Sequence, residues 1–278
     1  MKTPDIAFQS ADSFTRAELA ALWNRAYEHY FVPVAFDEQR LARHLRRADV
    51  DLAQSRVLVA DGEPAGLSLV GRRQSRAYLA GFGIASAQRR RGLARRLIEV
   101  QLAAISAAGT QEVALEVIEQ NPARLLYAEA GFEALRPLEL LEGTLEMRTT
   151  ESKTLDMAQL AAVHDHCSTI VRPTWRREWR TVLDAIEHED AVAIGVQRAG
   201  EITGYALLPD PALHDGTLLD AAAIDEAAAH ALLDALSATR SGTRWRLVDE
   251  PDGSLLLGAA KARGLAPALR QIEMRRRF

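Results

Sequence analysis

The stretch Arg89-Arg90-Arg91-Gly92-Leu93-Ala94 lies between an apolar, strand-like run and the start of a helical pattern. First-turn N–H groups of a helix lack intrahelical partners, and the helix dipole is positive there. Such a junction suits an anion, and Gly92 lets the backbone come close to it. Arg91, Arg95 and Arg96 crowd the same turn, where cations are ordinarily disfavoured, and a bound polyphosphate would offset their repulsion. On charge alone the run reads equally well as a solvated basic face. Other constellations carry less chemistry. In His164-Asp165-His166-Cys167 the two histidines are two apart on a predicted helix and face different directions, so no metal site is expected. Cys167 has no neighbouring His/Asn arrangement that would make it a nucleophile. Trp175 and Trp179, four apart, read as one helical face in a core or interface.

The chain that must position these groups has 278 residues, 34 basic against 38 acidic, with 48% hydrophobic residues. At roughly 150 residues per domain, that length predicts two domains. Ordinary apolar content excludes disorder, and the absence of Gly or Pro enrichment excludes collagen. The net charge of -4 gives no global basic field, so no nucleic-acid partner is expected. Residues 1–150 carry 19 basic and 19 acidic side chains, and residues 151–278 carry 15 and 19, so the acidic surplus lies in the second part. A lone Cys cannot form an internal disulfide and the first residues lack the apolar core of a secretory signal, so a cytoplasmic location is expected. No apolar run approaches the roughly 20 residues of a membrane span.

The spacing of Phe14, Leu19, Leu22, Ala26 and Tyr27 predicts a helix over 14–29, and a second follows over about 37–46. Val57 and Val59, then Leu67 and Leu69, alternate about the turn Asp61-Gly62-Glu63-Pro64, which is a hairpin signature. A strand over 77–84 leads into the Arg-rich turn. Beyond it Leu93, Leu97, Val100, Ala104 and Ala108 mark a helix that Gly109 stops. The run 113–118 reads as a strand covered on both faces. Asn121 as N-cap and Pro122 at N1 open a helix that Gly131 closes. Two last strands are expected at 132–137 and 140–148.

After the polar segment 151–153 the order starts again: helices at 155–167 and 175–187, a hairpin at 192–208, a strand at 218–224, a helix at 226–236, a strand at 245–248 and a helix at 254–263. Gly62-Glu63 with Gly66 parallels Gly200-Glu201 with Gly204, and Gly131-Phe132 parallels Gly264-Leu265. The pattern predicts an α/β fold with a mixed sheet, made of one unit used twice, over 1–150 and 151–278.

Arg89-x-x-Gly92-x-Ala94 after an apolar strand resembles the pyrophosphate loop of the GNAT superfamily of acyl-CoA N-acyltransferases. Asn121-Pro-Ala-Arg-Leu-Leu-Tyr127-Ala-Glu-Ala-Gly131-Phe132 is similar to that superfamily's Asn…Ala…Tyr…Gly-Phe segment. The likeness covers about 14–148 at motif level; for the second half it rests on element order, giving two tandem GNAT-like domains. The resemblance implies a direct transfer from acetyl-CoA to a primary amine of a small molecule or peptide. It places the CoA pyrophosphate on N–H groups around Arg90 to Ala94, including Arg91, Gly92 and Leu93. It pairs the pantetheine arm with Phe82, Gly83 and Ile84, and puts Asn121 near that arm. Tyr127 then corresponds to the general acid that protonates the departing thiolate, a role a positioned phenol can fill. Tyr27, His29, Tyr30 and Phe31 fall where the acceptor site is lined.

Members of this superfamily often carry a carboxylate base on the strand before the loop, and Tyr78-Leu79-Ala80-Gly81-Phe82-Gly83-Ile84 has none. An amine with a pKa of about 10.4 must still lose a proton. Glu116, Glu119 and His29 are the candidates, each also readable as an ordinary surface group. The missing acid leaves open a second reading, a non-catalytic acyl-CoA-binding or interaction protein of the same fold. In the second copy the loop reads Ala222-Ala223-Ile224-Asp225-Glu226-Ala227-Ala228, Ser254 replaces Asn121 and Ala260 replaces Tyr127, so this copy is not expected to bind CoA. The sequence is compatible with a monomer or a homodimer.

Overall fold

The computed structural model describes residues 5–210, 216–240 and 242–278. By compactness the chain divides into two units, the first running to Leu135 and including Met274–Phe278, the second spanning Arg136–Glu273. The first contains strands β1 (Ile6–Ser10), β2 (Arg56–Ala60), β3 (Glu63–Arg73), β4 (Arg76–Ile84) and β5 (Glu112–Ile118), with helices α1 (Arg16–Ala26), α2 (Glu38–Arg47), α3 (Leu93–Ala107) and α4 (Ala123–Glu129). Strand β6 (Glu133–Thr144) leads into the second unit, which holds β7 (Lys153–Thr154), α5 (Met157–Ile170), α6 (Trp179–His188), β8 (Val192–Arg198), β9 (Glu201–Leu208), β10 (Asp220–Ala223), α7 (Glu226–Thr239), β11 (Arg244–Pro251) and α8 (Leu255–Ala262). The last strand, β12 (Ala266–Arg277), begins in the second unit and ends in the first.

In the first unit β1 to β4 form an antiparallel meander, and β4 then pairs β5 in parallel. That last pairing covers Arg76↔Glu112, Ala77↔Val113 and Tyr78↔Ala114 and no further residues, so beyond Tyr78 the two strands part. The register of β3 on β4 slips at Ala80, between Leu69↔Gly81 and Val70↔Leu79, a bulge of the kind that re-aims side chains. On the far side of β5 the end of β12 closes the sheet: Arg275 Nη1 donates to Glu112 at 3.1 Å and the Phe278 N–H to the Gln111 carbonyl at 3.0 Å. In the second unit β10, β9, β8 and β7 make an antiparallel sheet, and β6 pairs β11.

The sequence repeat is visible in geometry. Thr15 with Glu18 and Asp156 with Gln159 form capping boxes at the starts of α1 and α5. Asp61-Gly62 has φ 52° and 85° and Ala199-Gly200 has φ 51° and 87°, the left-handed pair that a two-residue hairpin turn needs. Both hairpins carry a bulge, at Leu58/Val59 and at Val196/Gln197.

Three expectations need correction. The two strands expected at 132–137 and 140–148 are one, because the fixed φ of Pro137 suits an extended chain and its carbonyl accepts from the Asp252 N–H at 3.1 Å. Residues 113–118 are not covered equally on both faces: Val113, Leu115 and Val117 are buried while Ala114 and Glu116 are half-exposed. Trp175 and Trp179 do not share one helix, since Trp175 sits in a 3-10 turn and Trp179 starts α6. Strands β1 and β12 had no counterpart in the sequence reading.

Candidate functional site

The opening between β4 and β5 organises the site. At its mouth the Tyr127 ring, on α4, meets Phe82 edge-on at 5.9 Å and Phe132 at 5.8 Å. Tyr127 is buried. Burial, and then the nearby phenols of Tyr27 and Tyr30, hold the Tyr127 hydroxyl well above the usual tyrosine range. It therefore stays protonated at neutral pH, as a proton donor must.

The α1–α2 connection covers this mouth. Tyr27, the C-cap of α1, stacks on Trp23 at 4.5 Å, and its hydroxyl accepts from the Phe82 N–H at 3.3 Å. Tyr30 meets Tyr27 edge-on at 4.9 Å, and its hydroxyl accepts from Asn121 Nδ2 at 3.4 Å. Asn121 Oδ1 accepts from the Ala123 N–H at 2.9 Å, so this residue both starts α4 and fixes Tyr30. Burial raises the Tyr27 and Tyr30 phenols as well. Phe31 is half-exposed. His29 has φ 59° and a side chain 81% exposed, 3.8 Å from Glu28, so it stands in solvent rather than among the buried rings.

The turn between β4 and α3 has the geometry of an anion cradle. Arg90 (φ 61°) and Gly92 (φ 73°) are both left-handed, Gly92 is the N-cap of α3, and no side chain caps that helix. A Cβ at Gly92 would meet nothing within 4 Å, so the turn is open. Leu93 is buried and Ala94 packs beside it in a cluster with Ile84 and Leu97, which anchors the helix start. Arg90 and Arg91 are exposed, and Arg91 bonds Gln88. The Arg89 guanidinium is engaged elsewhere: it donates to the carbonyls of Ile84 (3.2 Å), Ala26 (2.8 Å) and Glu28 (3.0 Å), tying the end of β4 to the end of α1.

The structure also explains the missing strand acid. A Cβ at Gly81 would lie 2.2 Å from the Trp23 ring, and one at Gly83 would lie 3.0 Å from the Ala26 Cβ. Helix α1 thus occupies the space that a side chain at either position would need. Glu116 lies on β5 and accepts from the Tyr78 hydroxyl. Glu119 is half-buried in the turn after β5.

A family model described as an acetyltransferase (GNAT) domain matches residues 11–145. Across almost its whole length the chain also has the fold of solved GNAT proteins. A GCN5-related N-acetyltransferase from Sphaerobacter thermophilus superposes with a TM-score of 0.70 over 98% of this chain and 95% of that one, at 17% identity. One from Anabaena variabilis gives 0.65 over 98% and 72%, at 14% identity. A tandem GNAT protein from the clavulanic acid biosynthesis pathway gives 0.68 over 98% of both chains, at 15% identity. No curated protein matches in sequence. The fold is therefore two GNAT-like units in tandem.

The second GNAT-like unit differs at each corresponding place. Asp225 caps α7, its Oδ1 accepting from the Ala228 N–H at 2.8 Å, and pairs with Arg198. Among the described residues, none of 216–225, which lead into that helix, is left-handed. Eight residues after their helix caps, Trp23 and His164 face equivalent strand positions. Trp23 lies over Gly81, while His164 Nε2 is 3.8 Å from Asp220 Oδ2. There the cleft is filled by a buried ion network: Arg177 donates through Nε to Asp220 and through Nη1 to Glu250, both at 2.7 Å, and through Nη2 to the Ala221 carbonyl. Tyr205 donates to Asp220 at 2.5 Å and Ser254 to Glu250. Nothing in the sequence singled out Arg177, Tyr78 or the Trp23–Gly81 contact, because each depends on pairing distant segments. Among the described residues no helix is long and apolar enough to cross a membrane, and no group of three metal-ligating side chains is gathered.

Proposed function

We propose that the chain is an N-acetyltransferase with one working site, in its first unit, that transfers the acetyl group of acetyl-CoA to a primary amine of a small molecule or peptide. The observation that carries this reading is the joint presence of a left-handed turn without a side-chain cap at the start of α3 and the buried ring of Tyr127 against Phe82, its phenol held protonated by burial. The turn fits a pyrophosphate: the N–H groups around Arg90 to Ala94 would bind it, with Arg91 adding charge. The edge of β4 at Phe82, Gly83 and Ile84 would take the pantetheine arm beside Asn121, and Tyr27, Tyr30, Phe31 and His29 would line the acceptor side.

Acetyl-CoA supplies an activated thioester. The residues of this chain would do the rest. A fixed N–H at the end of β4 stabilises charge developing on the carbonyl oxygen. Tyr127 passes its proton to the sulfur as the carbon–sulfur bond breaks, and Glu116 or Glu119 accepts the proton that the amine gives up. The second unit serves a structural role, since Asp225 already satisfies the helix start where phosphate would sit, and its charge would repel one. The chain works as a monomer or homodimer in the cytoplasm, without a metal.

Release of CoA measured with acetyl-CoA and a panel of polyamines, amino acids, aminoglycosides and peptides tests the reading. Turnover with at least one amine is expected. Acetyl-CoA binding with no turnover on any amine would leave only a binding protein of this fold.

A further inference from the structure

Where β4 and β5 separate, the Tyr78 hydroxyl on β4 donates to the Glu116 carboxylate on β5, which lies two residues past the last backbone pair. Tyr78 is buried and Glu116 half-buried, so this bond lies at the inner end of the opening whose mouth holds Phe82 and Tyr127. The two strands carry two further ionisable groups, Arg76 and Glu112, and Glu112 is taken by Arg275 at 3.1 Å and Arg277 at 3.7 Å. From the covering helix α2, His44 Nε2 reaches the Ala80 carbonyl at 2.9 Å. The acid that β4 cannot carry at Gly81 or Gly83 is thus supplied by the neighbouring strand and held from β4 by a phenol.

We propose that Tyr78 is the positioning residue for Glu116, holding its carboxylate across the opening as the proton acceptor for the attacking amine. This rests on the acetyltransferase reading and selects Glu116 over Glu119 and His29. A phenol donor suits the task, because it stabilises the ionised carboxylate through one oxygen, and a carboxylate has several acceptor positions. In the step itself the amine nitrogen bonds to the acyl carbon while the carbon–sulfur bond breaks. The amine proton goes to Glu116 and the Tyr127 proton to sulfur. Exchange with solvent then restores both groups.

The test uses the full chain with ¹³C-carboxyl-labelled glutamate and bound acetyl-CoA, the Glu116 resonance being identified by its absence in Glu116→Gln. Tyr78→Phe is expected to raise the Glu116 titration midpoint by roughly one unit, because a donor to the ionised form is lost. With whichever of spermidine, glycyl-lysine or kanamycin the wild type turns over, Tyr78→Phe should lower kcat about tenfold and move the acidic limb of the rate profile upward, with KM for acetyl-CoA unchanged. Glu116→Asp, which keeps the charge but withdraws it by one methylene, should behave alike. The double change Tyr78→Phe with Glu116→Gln should equal Glu116→Gln alone. An unmoved midpoint in Tyr78→Phe, or wild-type turnover in Glu116→Gln, would overturn the proposal. Absence of turnover in the wild type would instead count against the acetyltransferase reading, and the midpoint would still report on Tyr78.

Discussion

The backbone N–H of Phe82 donates to the hydroxyl of Tyr27 at 3.3 Å, joining the parted edge of β4 to the end of α1. A strand that loses its neighbour leaves N–H groups without ladder partners, and a side-chain oxygen fills this one. Tyr27→Phe removes that acceptor at a half-buried site. Urea unfolding should show a loss of about 1 kcal/mol, the ordinary net worth of such a bond.

Gly92→Glu is expected to abolish acetyl-CoA binding in calorimetry, because it adds a like charge and a Cβ at φ 73°. Asp225→Ala, at the equivalent turn of the second unit, should leave binding within about twofold and cost roughly 1 kcal/mol of stability, the usual worth of an N-cap. The reverse pattern would exchange the roles of the two units.

Tyr127→Phe should reduce kcat by about 10²-fold or more, with acetyl-CoA affinity nearly unchanged. Burial lifts this phenol above its ordinary value, so the wild type should show no alkaline loss of activity from Tyr127 up to about pH 10. A rate profile recorded from pH 6 to 10 checks both statements.

Arg177→Met leaves Asp220 and Glu250 buried without their cation, and should destabilise the chain by about 3–5 kcal/mol. Burial already raises the Glu250 carboxyl, and losing Arg177 raises it further. A raised acid contributes stability below its unfolded value of 4.5, and that contribution disappears as pH climbs through the folded value. The deficit of Arg177→Met should therefore be larger at pH 8 than at pH 5 in denaturant titrations.

What could be read from the residues alone was local. Asp61-Gly62, Asn121-Pro122, Gly109 and Gly131 each state a turn or a cap within a few positions, and the elements they bound fall close to their expected places. The loop at Arg89–Ala94 and the Asn121–Tyr127 segment were legible for the same reason. Strand β1 is five residues of alternating exposure at a sheet edge, and β12 carries Arg270, Arg275, Arg276 and Arg277, so neither looks like a buried strand. The partners that shape the site are not local. Trp23 excludes a side chain at Gly81 from 58 positions away, and Tyr78 meets Glu116 from 38 positions away. Such pairs are set by sheet register, which no short window contains.

The end of β12 has a consequence for how the protein is made. Residues 274–278 complete the first unit, pairing with Glu112 and Gln111 and placing Arg276 on the Ala130 carbonyl. A ribosome emits them after the whole of the second unit, so the first unit cannot finish folding while the second is still being synthesised. The first unit would then mature last, although most of it is translated first.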